Sequence, residues 1–358
     1  MQQKKLYWID KLRCLSILLV ILVHSIEEGI YSLDLKSVIA MPLHYRLFPF
    51  ICFTVGRIGV PIFLLITGYL FLDRFFNEGD SKKFWKSNWM HLILCTQFWF
   101  LLYDIFLIYC QRVSLTFYDI LQDIFFLNKV QMSHVWYMPV IIGLYAFIPF
   151  VANAIHVLKT WKNHNLFLIP IFFFIIVLFF YPTISVIIKN TEPNSRVLTN
   201  QINAGYSGGI YGLYLIFGWL IKDGLLRQIK SIWLIVIFVV SCIVAVWIQI
   251  WSYQNGIGYN IWYDSPMLLV SSMSIFELFS RTKNNENKFT TFLSGNAFGI
   301  YLIHFPIKLI LLDYVLDLQY KKEFQVFILF FCTFILSLWI THFFSKIPKI
   351  GNYLLYKK

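Results

Sequence analysis

Charge is scarce in this chain, and acidic charge scarcest of all. Asp and Glu number 18 against 30 Lys and Arg, and charged residues make up 13% of the total while hydrophobic residues make up 59%. A soluble domain of 358 residues has no way to cover that much apolar surface, so a soluble protein is excluded. The six cysteines (Cys14, Cys52, Cys95, Cys110, Cys242 and Cys332) form no C-x-x-C pair and are scattered over apolar stretches. That pattern indicates neither a disulfide framework nor a zinc site, and the residues read as small packing groups. An internal repeat and a low-complexity tail are also missing. So is a small-residue cleavage site after the first apolar run, which is followed by Glu27, Glu28 and Gly29. That run reads as an uncleaved anchor.

What the chain does have is long apolar runs from end to end, with a mean hydropathy of +0.68. They predict an all-α polytopic membrane protein of about ten transmembrane helices, organised as one membrane domain over residues 1–358. The expected spans are 12–29, 47–71, 89–110, 136–157, 166–188, 208–222, 231–251, 260–280, 292–313 and 324–345. The sixth is short and Gly-rich. The net charge of +12 does not call for nucleic acid, because the basic residues occupy the short connections. With the N-terminus in the cytoplasm, the inner segments carry 20 Lys and Arg and the outer loops 8, while Arg57 and Lys308 fall within spans. That asymmetry predicts N and C termini cytoplasmic. The longest outer segments, about 26–46, 111–135 and 189–207, are available for recognition on that side.

Ionisable residues inside spans are costly and mark functional sites by default. His24 lies eleven residues after Arg13 in DKLRCLSILLVILVHS, about 16 Å along a helix and three turns on, so the two share a face. Arg57, in GRIGVPIFLLITGYLF, lies about ten residues from the outer start of its span. A guanidinium there needs a carboxylate, carbonyls, water or an anionic ligand, and a structural pairing with Asp104 is the plainer alternative. Pro61, Gly56, Gly59 and Gly68 predict a kink around a cavity. His304, in SGNAFGIYLIHFP, enters from the same side as His24 and reaches nearly its depth, level with Arg57. His134, Trp136 and Tyr137 read either as interfacial aromatics or as the flank of a substrate mouth. Asn260, Trp262, Tyr263 and Asp264 read as an aromatic belt or a sugar site. Lys308 is expected to snorkel outward, and Asp104 and Glu277 to be solvated or paired near helix ends.

At these residues the chain resembles the acyltransferase-3 family of bacterial integral-membrane acyltransferases. The marks are Arg13 with His24, the stretch Arg57–Val60–Pro61–Phe63 with Gly68, His134 with Trp136, and Tyr301 with His304; Thr67 stands where the family often has Ser. The resemblance covers essentially the whole chain and is closest to the stand-alone members. It implies a multi-pass protein of the bacterial cytoplasmic membrane that moves an acetyl group from cytoplasmic acetyl-CoA to a hydroxyl of a cell-surface glycan or lipid-linked saccharide, with no metal and membrane lipid around it. A sugar hydroxyl needs a base to attack a thioester, and a neutral imidazole suits that task. His24 is the candidate base, with an acyl-His intermediate left open. Arg57 would stabilise the oxyanion and Arg13 would pair with the phosphates of coenzyme A. His304 and Tyr301 would orient the acceptor, and His134, Trp136 and Trp262 would line its site. The runner-up is a polysaccharide or glycolipid transporter or flippase, and a third reading is a structural subunit. Transporters more often show paired repeats, which favours the enzyme.

Overall fold

The computed structural model describes residues 5–27, 29–128, 132–192, 208–348 and 350–356. Ten helical segments dominate it: α1 (Tyr7–Ile26), α2 (Leu43–Phe71), α3 (Glu78–Cys110), α4 (Ser133–Leu158), α5 (Asn165–Thr191), α6 (Gly208–Asp223), α7 (Ser231–Gln254), α8 (Pro266–Ser280), α9 (Lys288–Leu316) and α10 (Lys322–Ser345). Among the described residues the only extended pairing is a bridge between Glu27 and Tyr31. Seven segments, all but α1, α6 and α8, are long and apolar enough to cross a membrane by length and composition. The chain is a multi-pass membrane protein; each of the ten expected spans overlaps one of the ten helical segments, of which seven have the length and composition to cross.

Several limits move, two of them with consequences for the site. The first helix begins at Tyr7 instead of residue 12 and ends at Ile26, where Glu27 turns extended with φ −74° and ψ 132°. Arg13 is therefore nearly two turns inside α1. The eighth begins at Pro266, where the ring fixes φ for a first helical turn and the Ser265 hydroxyl accepts from Met267 N–H. Residues 260–265 are thus a connection, and the aromatic pair Trp262 and Tyr263 is freed from helical spacing.

Consecutive connections alternate between the two ends of the bundle. At the end where α1 starts, the Tyr7 amide donates to Asn284 Oδ1 (2.6 Å), and Arg281 donates to the Leu226 and Ile229 carbonyls. Lys159 there bridges Asp73 (2.8 Å) and Asp223 (3.0 Å), joining the ends of α2, α4 and α6. At the opposite, distal end the Tyr253 hydroxyl and Asn260 amide both donate to the Leu33 carbonyl, and Asn255 donates to Asn190. The segment 189–207, expected to be an outer loop, lies outside the described residues beyond Glu192.

Buried α1 is the centre of the bundle, between α2 and α9. Exposed apolar residues such as Phe172 on α5, Trp247 on α7 and Trp339 on α10 make the periphery, as a lipid-facing surface requires. Gly56 and Gly59 face α1 and Gly68 faces α6, in keeping with the sequence. A Cβ on Gly68 would overlap the Leu215 carbonyl and one on Gly218 the Leu65 carbonyl, so α2 and α6 touch backbone to backbone. The helix is interrupted near the position of the expected kink. Pro61 withholds the N–H that would bond the Arg57 carbonyl four residues earlier, and the regular helix is interrupted at Ile58.

Candidate active site

Three histidines from three helices meet near the distal ends of α1 and α4 and midway along α9. The rings of His24 and His304 are 5.4 Å apart between centroids, those of His134 and His304 5.3 Å, and those of His24 and His134 6.4 Å. All three residues are buried, His304 and His134 essentially completely. Phe305 stacks on His134 at 4.6 Å and meets His24 edge-on at 5.2 Å.

The local backbone chemistry explains how α9 presents His304. Pro306 leaves the Leu302 carbonyl without its helical donor, and the Tyr103 hydroxyl donates to that carbonyl instead (2.8 Å). His304 Nδ1 contacts the Tyr301 carbonyl at 2.6 Å and the Ile300 carbonyl at 3.2 Å. Both partners are acceptors, so Nδ1 carries the proton and Nε2 holds the lone pair. That Nε2 is buried without a hydrogen-bond partner, as are Nδ1 of His24 and both ring nitrogens of His134. Four orphaned imidazole nitrogens around one point are unusual, since buried polar atoms are nearly always satisfied.

Arg57 lies beside this cluster, toward the distal end. Its guanidinium is ion-paired with Glu27, which follows His24 by three residues, and hydrogen-bonds the Tyr263 hydroxyl at 3.4 Å. It stacks over Trp262 at 4.2 Å and Phe53 at 4.7 Å. Its Nε is one more buried donor without a partner. Trp136, from the turn that opens α4, packs against Trp262 (5.8 Å), Tyr263 (5.2 Å) and Tyr211 (5.4 Å). The aromatic residues of the two stretches thus form one cluster around the guanidinium.

On the other side of the histidines is a cavity of about 840 Å³. Tyr301, Tyr137 and Val20 line its deep end, one turn below His304 and His24, and Arg13, Asn88, Asn296, His342 and Ser345 are among its polar lining residues. Arg13 is anchored by the buried carboxylate of Asp10 at 3.5 Å, which also accepts from Ser294 (2.7 Å). Such a cavity suits a ligand with an anionic head near Arg13 and a slender stem reaching Val20 and Tyr301, one turn short of the imidazoles. Among the described residues no group of three or more His, Cys, Asp or Glu could hold a metal ion.

The site residues named from the sequence fall into this one region. His24, His134 and His304 form the cluster, Arg57 and Trp262 the distal wall with Trp136, and Arg13 and Tyr301 line the cavity. Several expectations need correction. Arg57 pairs with Glu27, not Asp104; Asp104 is fully buried. His134 is interior and no interfacial residue, because the turn Ser133–Trp136 tucks it between α3 and α9. Lys308 does not snorkel outward: it is 1% exposed, with its ammonium 4.0 Å from the centre of the Phe305 ring. Glu277 is paired as expected, with Arg281 at 2.8 Å. Glu27, Phe305, Tyr103 and Tyr211 were missed. For Glu27 a signal existed, since i,i+3 spacing puts it beside His24.

Residues 6–345 match a family model, acyltransferase-3, described as an acyltransferase domain. No curated protein and no solved structure matches the chain.

Proposed function

The chain belongs to the acyltransferase-3 family, and from that premise we propose that it is a membrane O-acetyltransferase. In this reading it moves an acetyl group from cytoplasmic acetyl-CoA to a hydroxyl of a cell-surface glycan or lipid-linked saccharide. It resides in the bacterial cytoplasmic membrane with both termini inside. The observation that carries the reading is the gathering of four unpartnered imidazole nitrogens between a deep cavity and an aromatic, guanidinium-bearing wall.

His24 takes the proton of the acceptor hydroxyl as that oxygen attacks the thioester carbonyl. It returns the proton to the sulfur as the carbon–sulfur bond breaks, so ester and thiol leave and the imidazole is neutral again. Arg57 keeps Nε–H free toward the negative oxygen of the tetrahedral intermediate while Glu27 and Trp262 hold the guanidinium plane. Arg13 binds the donor's phosphates at the mouth of the cavity. Trp136 and Trp262 offer ring faces to the sugar. His304 and Tyr301, fixed by carbonyl hydrogen bonds, orient the acceptor.

Mass spectrometry of surface glycans from a deletion strain tests this. Loss of an acetyl mass, with glycan amount and chain length intact, is the expected result. Loss of the glycan itself would instead select transport.

A further inference from the structure

The segment that follows α10 folds back across the bundle and docks on α3. Ile350–Leu354 is a short helix. Trp99 Nε1 and Cys95 Sγ both donate to the Leu354 carbonyl, at 2.9 and 3.0 Å, and His91 Nε2 is 2.8 Å from the Tyr353 carbonyl. The Tyr356 hydroxyl donates to the Asn88 carbonyl at 3.1 Å. Three side chains and one backbone carbonyl of α3 thus hold this piece of chain.

What the docking achieves is visible in the cavity. Leu355 and Tyr356 line it, on the side between Asn88 of α3 and Phe298 of α9, whose ring is 5.5 Å from that of Tyr356. The folded-back segment supplies the wall on that side. Tyr356 does so with φ +50°, a left-handed conformation that bulky residues rarely adopt and that persists only where the surroundings over-determine it. If the segment served packing alone, its side chains would fill the space they border. Here they border about 840 Å³ of it.

We propose that Leu355 and Tyr356 are donor-binding residues, contacting the pantetheine stem of the acyl-CoA between the phosphates at Arg13 and the thioester near Tyr301. This rests on the reading of the cavity as the acetyl-CoA site. Because the ligand and the segment share a surface, each stabilises the other, and the coupling is reciprocal. The donor therefore tightens the 350–356 segment on α3, and damage to the segment weakens the donor.

The test is steady-state transfer in proteoliposomes together with hydrogen exchange of residues 350–356, with and without coenzyme A. Tyr356→Ala is expected to raise the KM for acetyl-CoA about tenfold, with kcat at saturating donor and acceptor KM within about twofold of wild type. Tyr356→Phe, which keeps the ring at the wall and loses the bond to Asn88, raises donor KM less than Tyr356→Ala. Leu355→Trp, which intrudes on the cavity without touching that bond, raises donor KM as well. Exchange across 350–356 slows when coenzyme A is added. The proposal is overturned if the wild type transfers acetyl while both wall variants, folded as judged by thermal unfolding, keep its donor KM. It is overturned equally if saturating coenzyme A leaves the exchange unchanged. A wild type that binds no coenzyme A overturns the reading of the cavity, and this proposal with it.

Discussion

Tyr301 donates its hydroxyl proton to the backbone carbonyl of His134 at 2.6 Å. The bond ties α9 to the turn that opens α4, the two elements whose histidines lie 5.3 Å apart. Tyr301→Phe keeps the ring and removes the tie, at a cost of about 1 kcal/mol of stability. Turnover is expected to fall several-fold with donor KM unchanged, because what loosens is the relative placement of two imidazoles. An unchanged kcat in a variant of normal expression would show that the cluster needs no such brace.

His24→Ala should lower transfer by about 10²–10⁴-fold, the usual span for loss of a general base. The protein should still fold, since no hydrogen bond of the His24 Nδ1 is lost. His304→Ala should cost less, its role being orientation. Wild-type acetylation by well-expressed His24→Ala would remove it as the base.

In the proposed mechanism the two arginines divide the work along the membrane normal. Arg13 would bind phosphate equally in ground and transition states, so Arg13→Ala is expected to raise donor KM, and Arg13→Lys to keep the charge and part of the function. Arg57→Ala lowers kcat, because its free Nε–H matters only as charge develops. Since Arg57 and Glu27 are ion-paired, losses from Arg57→Ala and Glu27→Ala should be non-additive, with a coupling of about 0.5–3 kcal/mol in a double-mutant cycle. Rescue of Arg57→Ala by excess donor would exchange the roles.

Reporter fusions after Lys358 and within 189–207 should report opposite sides of the membrane, the first cytoplasmic. The motive is the concentration of 20 Lys and Arg in the inner segments against 8 in the outer loops. Fusions reporting the same side would falsify the topology.

Much of this was legible in the sequence because a membrane prices polar groups heavily. An imidazole or guanidinium in an apolar run must have a reason, so His24, Arg57 and His304 could be picked out before any packing was known. Helical rise then set His24 and His304 at one level. The reading failed where position along a span was mistaken for exposure. For His134 the sequence left an interfacial place and a substrate-flanking one both open, and a single turn of 3-10 helix carries it inward. Lys308 was assigned to the water, but the ring one turn earlier on its own face, Phe305, gives its ammonium an interior contact. Nor could spacing have joined residue 356 to residue 88, since a fold-back of this kind has no period. Trp262 was found for its composition and only the connection before α8, non-helical because Pro266 starts the helix, puts it over Arg57.

Contact without intervening side chains between α2 and α6 bears on how the protein is made. α6 has 16 residues and spends three of its positions on Gly208, Gly209 and Gly212 before Gly218 meets the Leu65 carbonyl. Its glycines weaken its hold on lipid, so it gains from a surface already in the bilayer as it leaves the translocation channel. That surface is α2, synthesised well over a hundred residues earlier, with Gly68 as its receiving notch for Leu215. Insertion of α6 is thus expected to be a late assembly step that waits on α2. Gly218→Leu should strand it, doubling the glycosylation or reporter states seen downstream of residue 223 while leaving those upstream of residue 192 single.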